Sequence, residues 1–305
     1  MEQHDRRHAH HAHGHLGYGG AFAIGIALNL AYVGGEAVAG LLSGSLALLA
    51  DAGHNLGDVL GLSLSWAAAV LSRRQPSGRF TYGLRSSSIL AALGNAVILL
   101  VVTGGIAWQA IWRIAHPAPV AAAMVISVAA VGIFVNGGTA LLFASGTQDL
   151  NVKSAFLHLA SDALVTTGVV AAGVVIWFTG WQRLDPMVSL VISAVIVIGT
   201  WSLMKSALGL ALNAVPEGVD IAAVREHLLG VPGVSGLHDL HIWGMSTTET
   251  ALTCHLLMPA GHPGDAVLNA ITQQLHQRFG IEHATIQIEL ADTEEACALT
   301  PEHIV

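Results

Sequence analysis

The chain is poor in charge. Of its 305 residues only 10% are Asp, Glu, Lys or Arg, against about 25% in ordinary soluble domains. That is too little to cover a water-facing surface, so a soluble globular enzyme is excluded. A hydrophobic content of 53% excludes a disordered chain as well. Cysteine is scarce, and the two present, Cys254 and Cys297, cannot build a disulfide framework. There is no basic excess. Twelve Lys and Arg stand against 20 Asp and Glu, a net charge of −8, so no nucleic-acid partner is expected. No cleavable signal peptide is expected either. Met1–His15 is polar and lacks a short apolar run before a small-residue cleavage site.

What the chain does have is apolar sequence and histidine. Mean hydropathy is +0.62. The 17 histidines raise the expectation of metal or proton chemistry, because imidazole is the commonest metal ligand and titrates near neutral pH. Six of them lie in the N-terminal tail, residues 1–16, a composition that binds metal weakly. From Gly17 to Leu212 the sequence is apolar with brief interruptions. A spanning helix needs about 20 mainly apolar residues. Six candidates fit: Gly20–Ala39, Ser45–Leu71, Ser88–Trp112, Val120–Phe143, Val152–Phe178 and Pro186–Leu212. Asp185-Pro186 is expected to start the sixth, with Asp as its N-cap and Pro in the first helical position.

Orientation follows from Lys and Arg in short loops. The loop between spans two and three holds Arg73, Arg74, Arg79 and Arg85, and the tail holds Arg6 and Arg7. Lys153 opens span five and Lys205 lies near the end of span six, whereas the opposite side has only Arg113 and Arg183. Both termini are therefore expected in the cytoplasm, which needs an even number of spans and agrees with six. Residues 213–218, with Pro216 and Gly218, read as a linker.

Residues 219–291 change character. Val219–Leu229 reads as a helix, Gly233–Trp243 and Thr250–Met258 as strands, Asp265–Phe279 as an amphipathic helix and Ala284–Leu290 as a third strand. The expected fold is thus an α-helical membrane protein with six transmembrane helices, plus a small α+β domain of α-β-β-α-β order. Residues 292–305 read as a loose tail.

Two motifs carry the chemistry. Span two contains His54-Asn55-Leu56-Gly57-Asp58 and span five His158-Leu159-Ala160-Ser161-Asp162. Residues four apart share one helix face, so each span offers an imidazole and a carboxylate to the same side. The two spans run in opposite directions. Packed together, they let His54 meet Asp162 while His158 meets Asp58. Ionisable groups at mid-membrane cost several kcal/mol unless paired or ligated. A divalent cation would cancel both carboxylate charges. Two nitrogens and two oxygens suit Zn²⁺, whereas Ca²⁺ wants six or more oxygens. The same groups can take protons when the metal leaves. Asp51, three residues before His54, reads equally as a further acid in the ion path or as a hydrogen-bond partner of a neighbouring helix. Glu36, Asn29 and Asn136 are polar groups of the same undecided kind.

The six spans, the paired H-x-x-x-D motifs and the C-terminal segments "GLHDLHIWG" and "HATIQIE" resemble the cation diffusion facilitator family, within it the bacterial zinc and cadmium efflux transporters of the zinc transporter branch. The resemblance implies a homodimeric inner-membrane antiporter that exports Zn²⁺ against protons, with a ferredoxin- or metallochaperone-like cytoplasmic domain joining the subunits. Its transport-site motif falls on His54, Asp58, His158 and Asp162. Cd²⁺, Co²⁺ and Fe²⁺ remain alternative cargoes. Some relatives have a further His/Asp site between spans two and three. Here Ser72–Arg85 has no His, Asp or Glu, so that site is expected to be absent. Some relatives also hold two metals in the cytoplasmic domain. Here His238, His255 and Glu289 match ligand positions, Gln287 stands where those relatives have His, and His241 or His283 could compensate. One regulatory metal is expected.

Two other functions compete. An intramembrane metal hydrolase would keep an open zinc position and commonly an H-E-x-x-H motif, which is lacking, so no enzyme is expected. A membrane metal sensor without transport would bind metal and carry no flux.

Overall fold

The computed structural model describes residues 18–72, 74–143 and 150–290. The His-rich tail with Arg6 and Arg7, together with Arg73 and the C-terminal tail with Cys297, lies outside the described residues. Six long helices come first: α1 (Tyr18–Ser43), α2 (Leu46–Ser72), α3 (Ser87–Ala115), α4 (Ala122–Phe143), α5 (Leu150–Thr179) and α6 (Leu184–Ala211). Among the described residues α2, α3, α5 from Phe156 and α6 are long and apolar enough to cross a membrane, and Leu30–Ser43 and Ala122–Gly138 are shorter apolar stretches of α1 and α4. The expected spans fall on these helices within a few residues. The bundle packs α4 along α5, α3 along α6 and α2 along α3.

α2 and α3 approach closely at Gly57. A Cβ there would stand 2.9 Å from the Leu99 methyl carbons, so the missing side chain lets α3 brace α2 between His54 and Asp58. The α1–α2 turn uses Gly44 at φ +68°, a left-handed conformation suited to glycine. The Gly44 carbonyl accepts from Arg113 at the end of α3.

The start of α2 corrects one expectation. Asp185 does not cap its own helix. α6 begins at Leu184, and its N-cap, Arg183, makes no side-chain capping bond. The Asp185 carboxylate instead reaches α2, accepting from Leu46 N at 2.7 Å and from Ser45 Oγ at 2.5 Å. Ser45 Oγ in turn accepts from Leu48 N at 3.1 Å. The first amides of a helix lack partners within it, and here they are buried in the protein away from water. A carboxylate from a distant helix does so here. Pro186 still fits, since the first turn needs no donor. Asp185→Ala leaves buried donors unmet and is expected to lower stability in detergent by about 2 kcal/mol, with Asp185→Asn milder because it keeps an acceptor. Thermal unfolding of both variants measures this, and an unchanged melting profile for the alanine variant contradicts it.

The C-terminal domain follows the expected order: α7 (Ile221–Leu229), β1 (Gly236–Gly244), β2 (Thr250–Leu257), α8 (Asp265–Phe279) and β3 (Ile281–Glu289). Asp220 caps α7, accepting from Ala222 N and Ala223 N. α8 ends on Gly280 in the left-handed conformation. The sheet order is β1-β2-β3, with β1/β2 antiparallel and β2/β3 parallel. Side chains alternate across a sheet. Leu252, Cys254 and Leu256 point into a core with Val224, Leu228, Ile271 and Leu275 of the two helices, and His255 points to the open face. Burial pushes the Cys254 thiol up to about 12, so it is a neutral core group and no thiolate ligand.

The domain docks on the α2–α3 loop. Arg85 pairs with Glu249 at 2.8 Å, Ser86 Oγ donates to Met245 O, and Thr247 N donates to Ser88 Oγ. The basic loop and the C-terminal domain therefore share one side of the bundle.

Candidate metal sites

In α2 and α5 the four motif residues close into a ring of alternating nitrogen and oxygen. His54 Nε2 lies 3.2 Å from Asp162 Oδ1 and 3.9 Å from Asp58 Oδ2. His158 Nε2 lies 3.5 Å from Asp58 Oδ2 and 3.6 Å from Asp162 Oδ2. Bonds of about 2.0–2.1 Å to a tetrahedral Zn²⁺ imply ligand–ligand edges of roughly 3.3–3.4 Å; the four contacts are near that length, and His54, Asp58 and Asp162 each bring a ligand atom within 4.8 Å of the others, with His158 just outside that set. Only one of its contacts is a hydrogen bond, His54 to Asp162. Asp58 Oδ2 is buried and has no hydrogen-bond partner, although two imidazoles face it. Both pairs sit well inside their helices. At 1.5 Å per residue, Asp58 is about 20 Å from the end of α2.

The ring is not evenly accessible. His54 and Asp162 form the layer farther from the C-terminal domain, Asp58 and His158 the nearer one. Asp162 is 7% exposed, Asp58 32% and His158 50%. His54 is 24% exposed, so the nearer layer is the more exposed of the two.

Beyond the closed layer Asp51 and Glu36 are fully buried. Asp51 Oδ2 accepts from Thr166 Oγ1 of α5 at 2.9 Å. Of its two readings, the neighbouring-helix bond is the one present. Glu36 accepts from Tyr32 and from Asn55, each at 3.1 Å. Asn136 is buried in α4, and the Asn29 side chain lies outside the described residues.

A second cluster lies on the open face of the C-terminal sheet. His238 and His255 are cross-strand partners. Glu289 Oε1 is 2.9 Å from His255 Nδ1 and 3.3 Å from His238 Nε2, while His238 Nε2 is buried without a hydrogen bond. Gln287 is in register with His255 and donates to Glu289 at 3.5 Å, at the rim. Asp239 was not anticipated. A register shift between His238 and His241 puts it at φ +52°, 3.5 Å from His255 Nε2 and 2.8 Å from His241 Nε2. The cue was its place between two histidines in "HDLH". His241 thus reaches the cluster through Asp239. His283 does not reach it. It pairs with Ala251, packs edge-on against Tyr82 at 5.6 Å and lies six residues from Glu289, about 20 Å along the strand.

A bundle of apolar helices with an appended domain is the architecture of a membrane protein, and comparison with known proteins makes it a transporter of metal cations. Sequence comparison narrows the class: the chain belongs to the cation efflux family. The cation efflux transmembrane domain matches residues 22–210 and the cation efflux protein cytoplasmic domain matches residues 216–291. The metal cation efflux system protein CzcD of Cupriavidus metallidurans is 36% identical over 293 residues, 95% of this chain and 93% of that protein. The zinc transporter ZitB of Escherichia coli is 37% identical over 271 residues, 88% and 86% of the two chains. A cadmium, cobalt and zinc/H⁺-K⁺ antiporter of Bacillus subtilis is 32% identical, with 83% of each chain covered. A solved metal-bound C-terminal domain of the Cupriavidus CzcD transporter is 42% identical at a TM-score of 0.23, covering 24% of this chain and all of that one.

Proposed function

We propose that this transporter exports Zn²⁺ from the cytoplasm in exchange for protons through His54, Asp58, His158 and Asp162. The observation that carries the reading is Asp58 Oδ2, a buried carboxylate oxygen with two imidazole nitrogens turned toward it and no hydrogen bond to either. Such an arrangement is costly unless a cation sits at its centre. Two neutral imidazoles and two carboxylates neutralise a divalent ion, and His54, Asp58 and Asp162 already lie close enough to share one, with His158 a small movement away. Zinc is transported by the ZitB relative, and cadmium and cobalt appear in the name of the Bacillus one. Cd²⁺, Co²⁺ and Fe²⁺ are the alternative cargoes.

Exchange follows from the ligands. Each must be deprotonated to hold the metal, so metal and protons compete for the same atoms. The basic α2–α3 loop sits on the side of the C-terminal domain, which supports a cytoplasmic location for that domain and for both termini in an inner membrane. On that orientation the more exposed pair, Asp58 and His158, is the one nearer the cytoplasm.

The C-terminal cluster of His238, His255 and Glu289, with Asp239 beside it and His241 behind, is a regulatory zinc site. The dimer-forming type of domain to which it belongs supports a homodimer in which this metal tightens the paired domains. Equilibrium dialysis with Zn²⁺ tests both sites. His54→Ala and Asp58→Ala are expected to lose one zinc per chain. Glu289→Ala is expected to weaken the other zinc by about 100-fold or more, since even outer-shell partners are worth 10–100-fold. Full zinc content in His54→Ala and Asp58→Ala overturns the transport site.

A further inference from the structure

The α2–α3 loop carries charge that neither metal cluster uses. Nine consecutive residues, 74–82, are exposed. They include Arg74 and Arg79 and no acidic residue. The rings of Phe80 and Tyr82 are each 50% exposed, and the Arg79 guanidinium lies 5.8 Å from the Phe80 ring. Among the described residues of the loop, an acid pairs only with Arg85.

Charge alone would orient the chain in a membrane and needs no particular shape. This loop has one. Ser77 N donates to Phe80 O at 3.0 Å, Phe80 N to Ser77 Oγ at 3.3 Å, and Gly83 N to Phe80 O at 2.9 Å. Gly83 sits at φ +72°, and a Cβ there would stand 3.0 Å from the Arg74 carbonyl oxygen. The two ends thus close on each other, as in a compact Ω-loop, with Arg79 and Phe80 held between them. The loop also divides its work. Its second part meets the C-terminal domain through Tyr82, Arg85 and Ser86. Its first part, from Arg74 to Phe80, leaves α2 at the membrane surface. α2 ends at Ser72, and Trp66 and Val70 in its last two turns are 64% and 50% exposed, as lipid-facing side chains are. Arg74 lies two residues beyond the helix, at most about 7 Å of chain, within reach of the phosphate layer.

Arginine matches a phosphate with paired donors, and an aromatic ring favours the headgroup level of a bilayer. Charge of one sign, an exposed ring and position together select the partner. We propose that Arg74, Arg79 and Phe80 form a docking site for an anionic phospholipid in the leaflet on the side of the C-terminal domain. The two arginines hold the headgroup phosphate, and Phe80 rests against the lipid below it.

Native mass spectrometry of the purified full-length protein in detergent micelles, titrated with phosphatidylglycerol and with phosphatidylcholine, tests this. The wild type should bind the anionic lipid more tightly. One basic residue near an anionic lipid surface is worth about fivefold in affinity. Arg74→Ala and Arg79→Ala should each weaken phosphatidylglycerol by about that factor and the double variant by about 25-fold, with phosphatidylcholine little changed. Phe80→Ala should weaken both lipids alike. Lys205, near the same end of the bundle, lines a cavity with Glu217 and Glu249, so Lys205→Ala should cost less than either arginine. Equal binding of the two lipids by the wild type overturns the proposal. So does a preference that survives in the double variant, or a loss in Lys205→Ala as large as in the double variant, which would mean a diffuse positive surface. Displacement of the lipid by water-soluble glycerol phosphate overturns it as well, since the site would then serve a free anion. The wild-type comparison needs no substitution, so a variant that fails to fold does not spare the proposal.

Discussion

Replacing Asp162 with alanine is expected to weaken zinc binding in the membrane domain by more than about 100-fold. Asp162 is the most buried of the four ring residues, and its two oxygens face different imidazoles, Oδ1 toward His54 and Oδ2 toward His158. Its loss removes one ligand and also leaves a charge of +1 on a filled site. An uncompensated charge at mid-membrane costs about 3 kcal/mol on insertion scales, which alone is a factor above 100. The metal-free protein is not expected to suffer. The substitution loses the hydrogen bond to His54 but also the repulsion between two nearby carboxylates, so the melting temperature is expected to change little. The Thr166 hydroxyl lies by the Asp162 main-chain carbonyl, which the substitution keeps. Zinc titration and thermal unfolding of the same preparation separate the two effects. Weak binding together with collapse of the fold would show that Asp162 is needed for structure first.

Acidification should have the next largest effect. Imidazole binds a metal only when neutral, and its ordinary pKa is near 6.5. As the pH falls protons compete with zinc for both ring histidines, and with two such groups the zinc dissociation constant rises by up to about 100-fold per pH unit, with one by up to about tenfold. The sign is fixed: affinity falls as pH falls and returns as it rises. His158→Ala should therefore bind more weakly at neutral pH and also show the shallower dependence. Isothermal titration at a series of pH values in the Glu289→Ala background isolates the membrane site. Equal slopes in the presence and absence of His158 would remove it from the ligand set.

What was legible in the sequence was what is local. His54 and Asp58, like His158 and Asp162, are one helical turn apart, so helix geometry puts each pair on one face, and opposite span directions suffice to match them. The alternation of Leu252, Cys254 and Leu256 with Thr253 and His255 likewise marks a sheet with one buried face. What was not legible depends on contacts between distant segments. Asp185 beside Pro186 carries every local sign of an N-cap, yet its carboxylate serves a helix 139 residues earlier in the chain, because buried amides at the start of α2 have no other acceptor. Asp51 could not be assigned until α1 and α5 were seen to meet it with Glu36 and Thr166. Asp239 enters its cluster through an irregularity of strand pairing that no periodicity reveals. His283 shares a strand with Glu289, and strand length alone carries it away from the metal cluster to the α2–α3 loop.

The central claim is metal–proton exchange through one ring of four side chains. It is tested most directly in proteoliposomes that report zinc and internal pH together. With a pH gradient imposed across the membrane, wild-type protein should move zinc up its concentration gradient while protons move the other way, and dissipating the gradient should stop both. Asp58→Ala should move neither ion. Zinc flux that persists in Asp58→Ala, or zinc binding by the wild type with no flux of either ion, would contradict the account, the second result pointing to a membrane sensor of metal.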